Sequence, residues 1–118
     1  MDKLNVLIHI NENEKWKVAL GNISNLLNDA GDENVDVVVI ANGYAVYGYA
    51  DSEKVSPMEQ LAVRGVKFIA CRNSFSNMCQ EGVACLKEEL MPSFITIVPA
   101  GITEIAKRQL DGYAYIKP

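Results

Sequence analysis

The chain has 118 residues, 49% hydrophobic and 22% charged, which suits one domain around a single core and is too short to divide into two. Its 11 Lys plus Arg against 15 Asp plus Glu leave a net charge of -4, and with the basic residues scattered this argues against a phosphate-binding surface and so against a nucleic-acid partner. The start, Met1-Asp2-Lys3-Leu4-Asn5, lacks the basic and apolar regions of a signal peptide, no apolar run is long enough to cross a bilayer, and the three cysteines are irregularly spaced, so free thiols and a cytoplasmic location are expected rather than a disulfide framework.

The segment 4–10 (LNVLIHI) is a short apolar run with polar flanks, the pattern of a strand covered on both faces. Over 14–30, Trp16, Leu20, Ile23, Leu27 and Ala30 recur at steps of four and three, which predicts a helix with one apolar stripe, stopped by Gly31. A second buried strand follows at 35–41 (VDVVVIA) and ends in the turn pair Asn42-Gly43. The stretch 44–54 carries Tyr44, Tyr47 and Tyr49 among small residues and predicts an ordered loop or short irregular helix with its aromatics packed. A short helix is expected over 56–64, with Ser56 as N-cap, Pro57 in the first position and Gly65 as the stop.

The third strand, 66–71 (VKFIAC), gives way at once to Arg72-Asn73-Ser74, a polar turn able to cap a helix. Short helices over 74–79 and about 84–90 are expected next. A fourth strand at 94–98 (FITIV) leads through Pro99-Ala100-Gly101 into a helix over 102–110, where Ile102, Ile105, Ala106 and Leu110 form one apolar face. A fifth, edge strand is expected at 113–116, ended by Pro118. Nearly apolar strands that alternate with helices indicate an α/β fold, a parallel sheet with helices on both faces and right-handed crossovers.

In such a sheet every strand-to-helix connection emerges at one edge, where segments far apart in sequence converge. That edge gathers His9, Asn11 and Glu12, then Asn42 and Gly43, then Cys71, Arg72, Asn73 and Ser74, and last Pro99, Ala100 and Gly101. Cys71 is the sharpest candidate for chemistry, because a thiol between a strand end and a helix start meets unpaired N–H groups and a positive dipole end that favour the thiolate. A thiolate there can attack sulfur electrophiles or carry a persulfide. The plainer alternative makes Cys71 the last small apolar side chain of a buried strand. Cys79 and Cys85 fit no compact CxxC pair and are expected to be buried as small hydrophobes, and a chain with one histidine offers too few ligands for zinc, so no metal is expected. His9 is expected to be a hydrogen-bonded core histidine, with a role as acid-base neighbour of Cys71 as the alternative. The helix start at 99–101 can cradle an anion, but no P-loop or GxGxxG motif is present and no cofactor is called for.

Four stretches, HINENEKWKVALGNISNLLND, VVVIANG, GVKFIACRNS and VPAGITEIAKRQLDGYAYIKP, together resemble the DsrE/DsrF-like family of small proteins over nearly the whole chain. The most specific pieces are the strand-end cysteine with its Arg-Asn-Ser and the C-terminal block. The resemblance implies a three-layer α/β/α sandwich with a five-stranded, mainly parallel sheet, assembled into trimers or hexamers. It also implies a sulfur-relay role, in which Cys71 occupies the position of the persulfide-bearing cysteine. Here that cysteine is followed by Arg72-Asn73-Ser74-Phe75, where the clearest sulfur carriers have small residues and an Arg-Gly pair.

Three readings of function follow. The first is a persulfide carrier that uses Cys71 and exchanges sulfur with a donor or acceptor protein. The second is a non-catalytic oligomeric module that binds a small ligand or protein at the same edge. A redox enzyme pairing Cys71 with Cys79 or Cys85 is the third. Self-association is expected in each case, because the tyrosine-rich loop and the edge strand would leave apolar surface on a monomer.

Overall fold

The structure, a computed structural model, describes residues 3–118. Five strands form the sheet: β1 (Leu4–Ile10), β2 (Val35–Ala41), β3 (Lys67–Cys71), β4 (Ile95–Val98) and β5 (Ala114–Ile116). Their order is β4-β3-β2-β1-β5, and every neighbouring pair is parallel. The central pair is apolar on both sides because both sides are covered: Val6 and Ile8 face one layer and Leu7 the other, and Val37 and Val39 likewise alternate with Val38 and Ile40.

Four helices supply the covering layers: α1 (Trp16–Ala30), α2 (Ser52–Val63), α3 (Arg72–Gln80) and α4 (Gly101–Leu110). The stripe Trp16, Ala19, Leu20, Ile23 and Leu27 of α1 is buried in the larger core with Met58 and Leu61 of α2 and Phe75 and Met78 of α3. The opposite core is small, with Ile105 of α4 packed against Leu7, Val38, Ile40 and Ile69. Topology explains this asymmetry. The chain steps from β1 through β4 in one direction and then returns past three strands to place β5 beside β1. Crossovers of one hand put the first connections on one face, so the reversed connection through α4 must cross on the other.

Several boundaries differ from the sequence expectation. Helix α2 begins at Ser52 because Asp51 is its N-cap, accepting from the Glu53 N–H at 3.0 Å, and Pro57 therefore lies inside the helix instead of at its start. Helix α3 starts at Arg72 without any intervening turn, since Cys71, still extended, serves as its N-cap residue. The helix expected near 84–90 reduces to one 3-10 turn, Glu88–Leu90. The first helix likewise opens with a 3-10 turn, Asn13–Lys15, before α1 proper.

The tyrosine-rich stretch is a 3-10 helix, Gly43–Ala50. Tyr49 is buried, donates its hydroxyl to the Ile69 carbonyl at 2.9 Å and tilts against Trp16 at 5.2 Å. Tyr44 and Tyr47 are exposed, contrary to the expectation that all three would pack. What holds the segment down is Trp16, whose indole N–H donates to the Ala45 carbonyl at 2.8 Å. Gly48 lies directly over that ring, and a β-carbon there would fall 2.2 Å from the indole nitrogen. Replacement of Gly48 by alanine is accordingly expected to destabilise the protein by about 1–3 kcal/mol through overpacking. Thermal denaturation with tryptophan fluorescence checks this; an unchanged midpoint with an unchanged spectrum contradicts it.

Candidate functional site

The carboxyl edge of the sheet has one place where successive connections part. The chain leaves β3 toward the α3 side and leaves β4 toward the α4 side, so the crevice between these two strand ends is the topological switch point, where open α/β sheets place their ligands. The Asn73 N–H donates to the Pro99 carbonyl at 3.2 Å and ties the two diverging connections together. Cys71 stands at this crevice. Its parity along β3, shared with Ile69, turns its side chain to the α4 face.

Two helix starts therefore meet at one sulfur. Cys71 precedes the first residue of α3, and Gly101, the first residue of α4, lies so close that a β-carbon on it would come within 3.2 Å of the Cys71 β-carbon. A β-carbon there would make a tighter contact than side chains ordinarily do, and glycine relieves it. Burial works against ionisation of the thiol, which is 5% exposed. The Ser74 hydroxyl and the N–H groups of Gly101, Ser74 and Asn73 act in the other direction as donors to sulfur, and they prevail, holding the thiol below its ordinary value. These amides face the sulfur without forming a regular side-chain cap. Such an arrangement stabilises a sulfur anion while leaving little room around it.

The remaining residues of the edge fall into two groups around the thiol. Ser74, buried, links Cys71 to the next loop, since its hydroxyl oxygen accepts from the Gly43 N–H at 2.7 Å. Gly43 has φ of 57°, and a β-carbon on it would meet the Asn11 carbonyl oxygen at 3.0 Å, so Asn11 enters the edge through its backbone. Asn42 and His9 lie on the other flank, with His9 Nε2 2.9 Å from Asn42 Oδ1. Pro99 and Ala100 shape the entry to α4, Pro99 through its carbonyl and Ala100 as the N-cap residue.

Arg72 does not join the thiol. Its guanidinium turns away to form a two-pronged ion pair with Glu88, at 2.7 and 2.9 Å, as the alternation of successive residues at a strand end allows. His9 makes no hydrogen bond to Cys71 and is held at both ring nitrogens by Asn42 and Tyr115. Tyr115 is the residue that sequence reading missed. It lies on β5, and that β5 pairs beside β1 instead of continuing outward from β4 is a long-range fact with no local signal. A cleft of about 140 Å³ bordered by Gly43, Tyr44, Ser74, Asn77, Met78 and Glu81 reaches Ser74 from solvent, and the Tyr44 hydroxyl donates to Glu81 at 2.7 Å across it.

The other two cysteines correct an expectation. Cys79 and Cys85 are exposed and joined by a disulfide, with Cα atoms 4.3 Å apart, so they are neither buried hydrophobes nor free thiols. Their pairing follows from the end of α3: Gly82, at φ 76°, reverses the chain, and the Val83 and Ala84 N–H groups return to the Met78 carbonyl, which brings Cys85 beside Cys79. Cys71 is the one free cysteine, and it lies at the opposite end of α3 from Cys79, about 12 Å away along the helix axis. A Cys71–Cys79 redox pair is thereby removed from consideration.

No protein-family model matches the chain, and no curated protein matches it either. Solved structures do. MTH1491 from Methanobacterium thermoautotrophicum, described as a protein of unknown function, superposes with a TM-score of 0.79 at 25% identity over 100% of both chains. The ychN protein from E. coli superposes with a TM-score of 0.71 at 15% identity, again over 100% of both chains. The fold is DsrE-like. For this chain that likeness extends to the scaffold, a five-stranded parallel sheet with helices around it, and leaves the chemistry to its own residues. No helix among the described residues is long and apolar enough to cross a membrane.

Two measurements check the site. Titration of the denatured protein without reductant should find one thiol per chain, rising to three after reduction; three from the start contradicts the disulfide. In the native protein, Cys71 should alkylate with an apparent pKa below that of the same thiol in the denatured chain, and Ser74→Ala should move that pKa upward. An alkylation profile untouched by Ser74→Ala would show that the hydroxyl does not act on the sulfur.

Proposed function

We propose that this protein carries sulfur on Cys71 as a persulfide, accepting it from a donor protein and passing it to an acceptor. The observation that carries the reading is the convergence of two helix starts and the Ser74 hydroxyl on the single free cysteine. The thiolate attacks the outer sulfur of a donor persulfide, the donor S–S bond breaks, and the donor sulfur leaves as a thiolate that takes up a proton. A new S–S bond forms on Cys71, with no net oxidation or reduction. The product is an anionic terminal sulfur, which the same N–H groups can hold. Burial suits a carrier, because a persulfide shielded from solvent is protected from stray thiols until a partner reaches it. The DsrE-like fold is consistent with this role.

A homo-oligomer, trimeric or hexameric, belongs to the same reading. Among the described residues helix α4 is alone on its side of the sheet, and Ile102 and Leu110 are 67% and 87% exposed, while Tyr115 and Ile116 stand exposed on the open edge strand β5. Apolar surface of this kind and an unpaired strand edge call for cover. A second reading, a non-catalytic oligomeric module that binds a small ligand or protein, draws on the tight burial of Cys71.

The deciding experiment is incubation with a persulfide donor followed by intact-mass analysis. The wild-type chain should gain one sulfur atom, removable by reductant, and Cys71→Ser should gain none. Full loading of Cys71→Ser would overturn the relay and leave the binding module. For the assembly, sedimentation should give a mass of several chains; a single species of one chain's mass at micromolar concentration contradicts it.

A further inference from the structure

The α4 face of the sheet carries a row of polar side chains that the thiol chemistry so far leaves unused. Register places His9 beside Ile40 and Ile40 beside Ile69, so His9 and Cys71 share a face, and Asn42, two residues beyond Ile40, shares it too. Asn42 is also Cys71's neighbour across the sheet edge. Its β-carbon lies 3.5 Å from the point where a β-carbon on Gly101 would sit, and that of Cys71 lies 3.2 Å from the same point.

His9 is 9% exposed and has a partner at each ring nitrogen: Asn42 Oδ1 at 2.9 Å from Nε2, and the Tyr115 hydroxyl at 2.6 Å from Nδ1. An amide oxygen only accepts, so Nε2 carries the hydrogen; in the neutral ring Nδ1 then accepts, and Tyr115 must donate. The amide oxygen, the imidazole and the phenol thus form one chain of hydrogen bonds in which each group holds the next. With its oxygen committed to His9, the Asn42 NH₂ group turns away from β1. It donates to no group among the described residues, and it is not sealed in the interior.

We infer that His9 is a positioning residue, locked by Tyr115, that orients the Asn42 amide so that its NH₂ is a further hydrogen-bond donor to the sulfur anion held on Cys71. For the nature of its ligand, a thiolate or persulfide anion, the inference rests on the function proposed above. For its geometry it rests on the two bonds to His9 and the shared contact with Gly101 alone. The backbone donors of α3 and α4 reach the sulfur from the ends of two helices. Asn42 approaches along the sheet edge from β2, beside the first residue of α4.

The test is the pH profile of Cys71 alkylation by iodoacetamide on the full chain with Cys79 and Cys85 disulfide-bonded, so that Cys71 alone reacts. Asn42→Leu keeps the shape and removes the donor without adding a charge beside the sulfur; the apparent pKa should rise by about one unit, a roughly tenfold loss of thiolate at neutral pH. His9→Phe frees the amide and should raise the pKa by less, His9→Gln keeps an N–H near the Nε2 position and should restore the wild-type profile, and Tyr115→Phe, made on an exposed strand, should shift it in the same direction as His9→Phe. Circular dichroism confirms that each variant is folded, and should His9→Phe fail to fold, Tyr115→Phe and Asn42→Leu carry the test. A folded Asn42→Leu with the wild-type profile overturns the inference, as do equal shifts in His9→Phe and His9→Gln. The alkylation profile does not depend on persulfide loading, so a chain that accepts no sulfur but shows these shifts sinks the relay and keeps the positioning role. A chain that loads sulfur with an unshifted Asn42→Leu profile does the reverse.

Discussion

The reversal of the chain after β4 is the constraint on which the site depends. Had β5 continued outward from β4, α4 would have joined the other helices on one face, and the α4 side of the sheet would lie bare. Because the chain instead returns across three strands, α4 starts where β3 ends, with its first amide against the sulfur of Cys71. The same return lays β5 beside β1 and brings Tyr115 to His9. One topological event thus assembles both the backbone donors at the thiol and the side-chain row next to it.

Glycine makes the assembly sterically feasible at two points. At Gly101 the absence of a side chain lets a helix terminus approach a cysteine side chain at a distance that any β-carbon would crowd. At Gly43 a left-handed backbone lets the loop after β2 fold over Asn11 and hand its N–H to Ser74. Ser74 is the joint between the two. It donates to the sulfur while accepting from Gly43, so its hydroxyl hydrogen is directed by the bond on its other side.

Much of this was legible in the sequence and some was not, for physical reasons. The strands β1, β2 and β3 are short continuous apolar runs and declare a doubly covered parallel sheet, which also locates the edge where Cys71, Asn42, Gly43, Ser74 and Gly101 converge. The start of α2 was misread because Pro57 is a strong local signal for a first turn, yet the Asp51 carboxylate makes the better cap and the helix tolerates the proline. The Cys79–Cys85 disulfide was missed because a spacing of six residues matches no compact motif until Gly82 folds the chain back. Tyr115 was seen as surface apolar material, because nothing local says which strand β5 will pair with. Interactions set by neighbours in sequence were readable; those set by the order of strands in the sheet were not.

The disulfide bears on how rigid the thiol site can be. It closes the segment after α3, the helix whose opposite end faces Cys71, and Glu81 within the closed loop holds the Tyr44 hydroxyl beside the cleft that reaches Ser74. Cross-linking a loop this short removes freedom chiefly from the unfolded chain, and the returning N–H bonds to Met78 already shape the turn. Its main structural consequence is therefore local. The bond fixes where Glu81 stands, hence how firmly Tyr44 is tethered at the mouth of the cleft, while the donors at the sulfur come from the opposite, amino end of α3 and from the start of α4. The thiol is thereby activated by groups at one end of α3 while the disulfide closes the other, which lets a buried thiol be activated without being exposed.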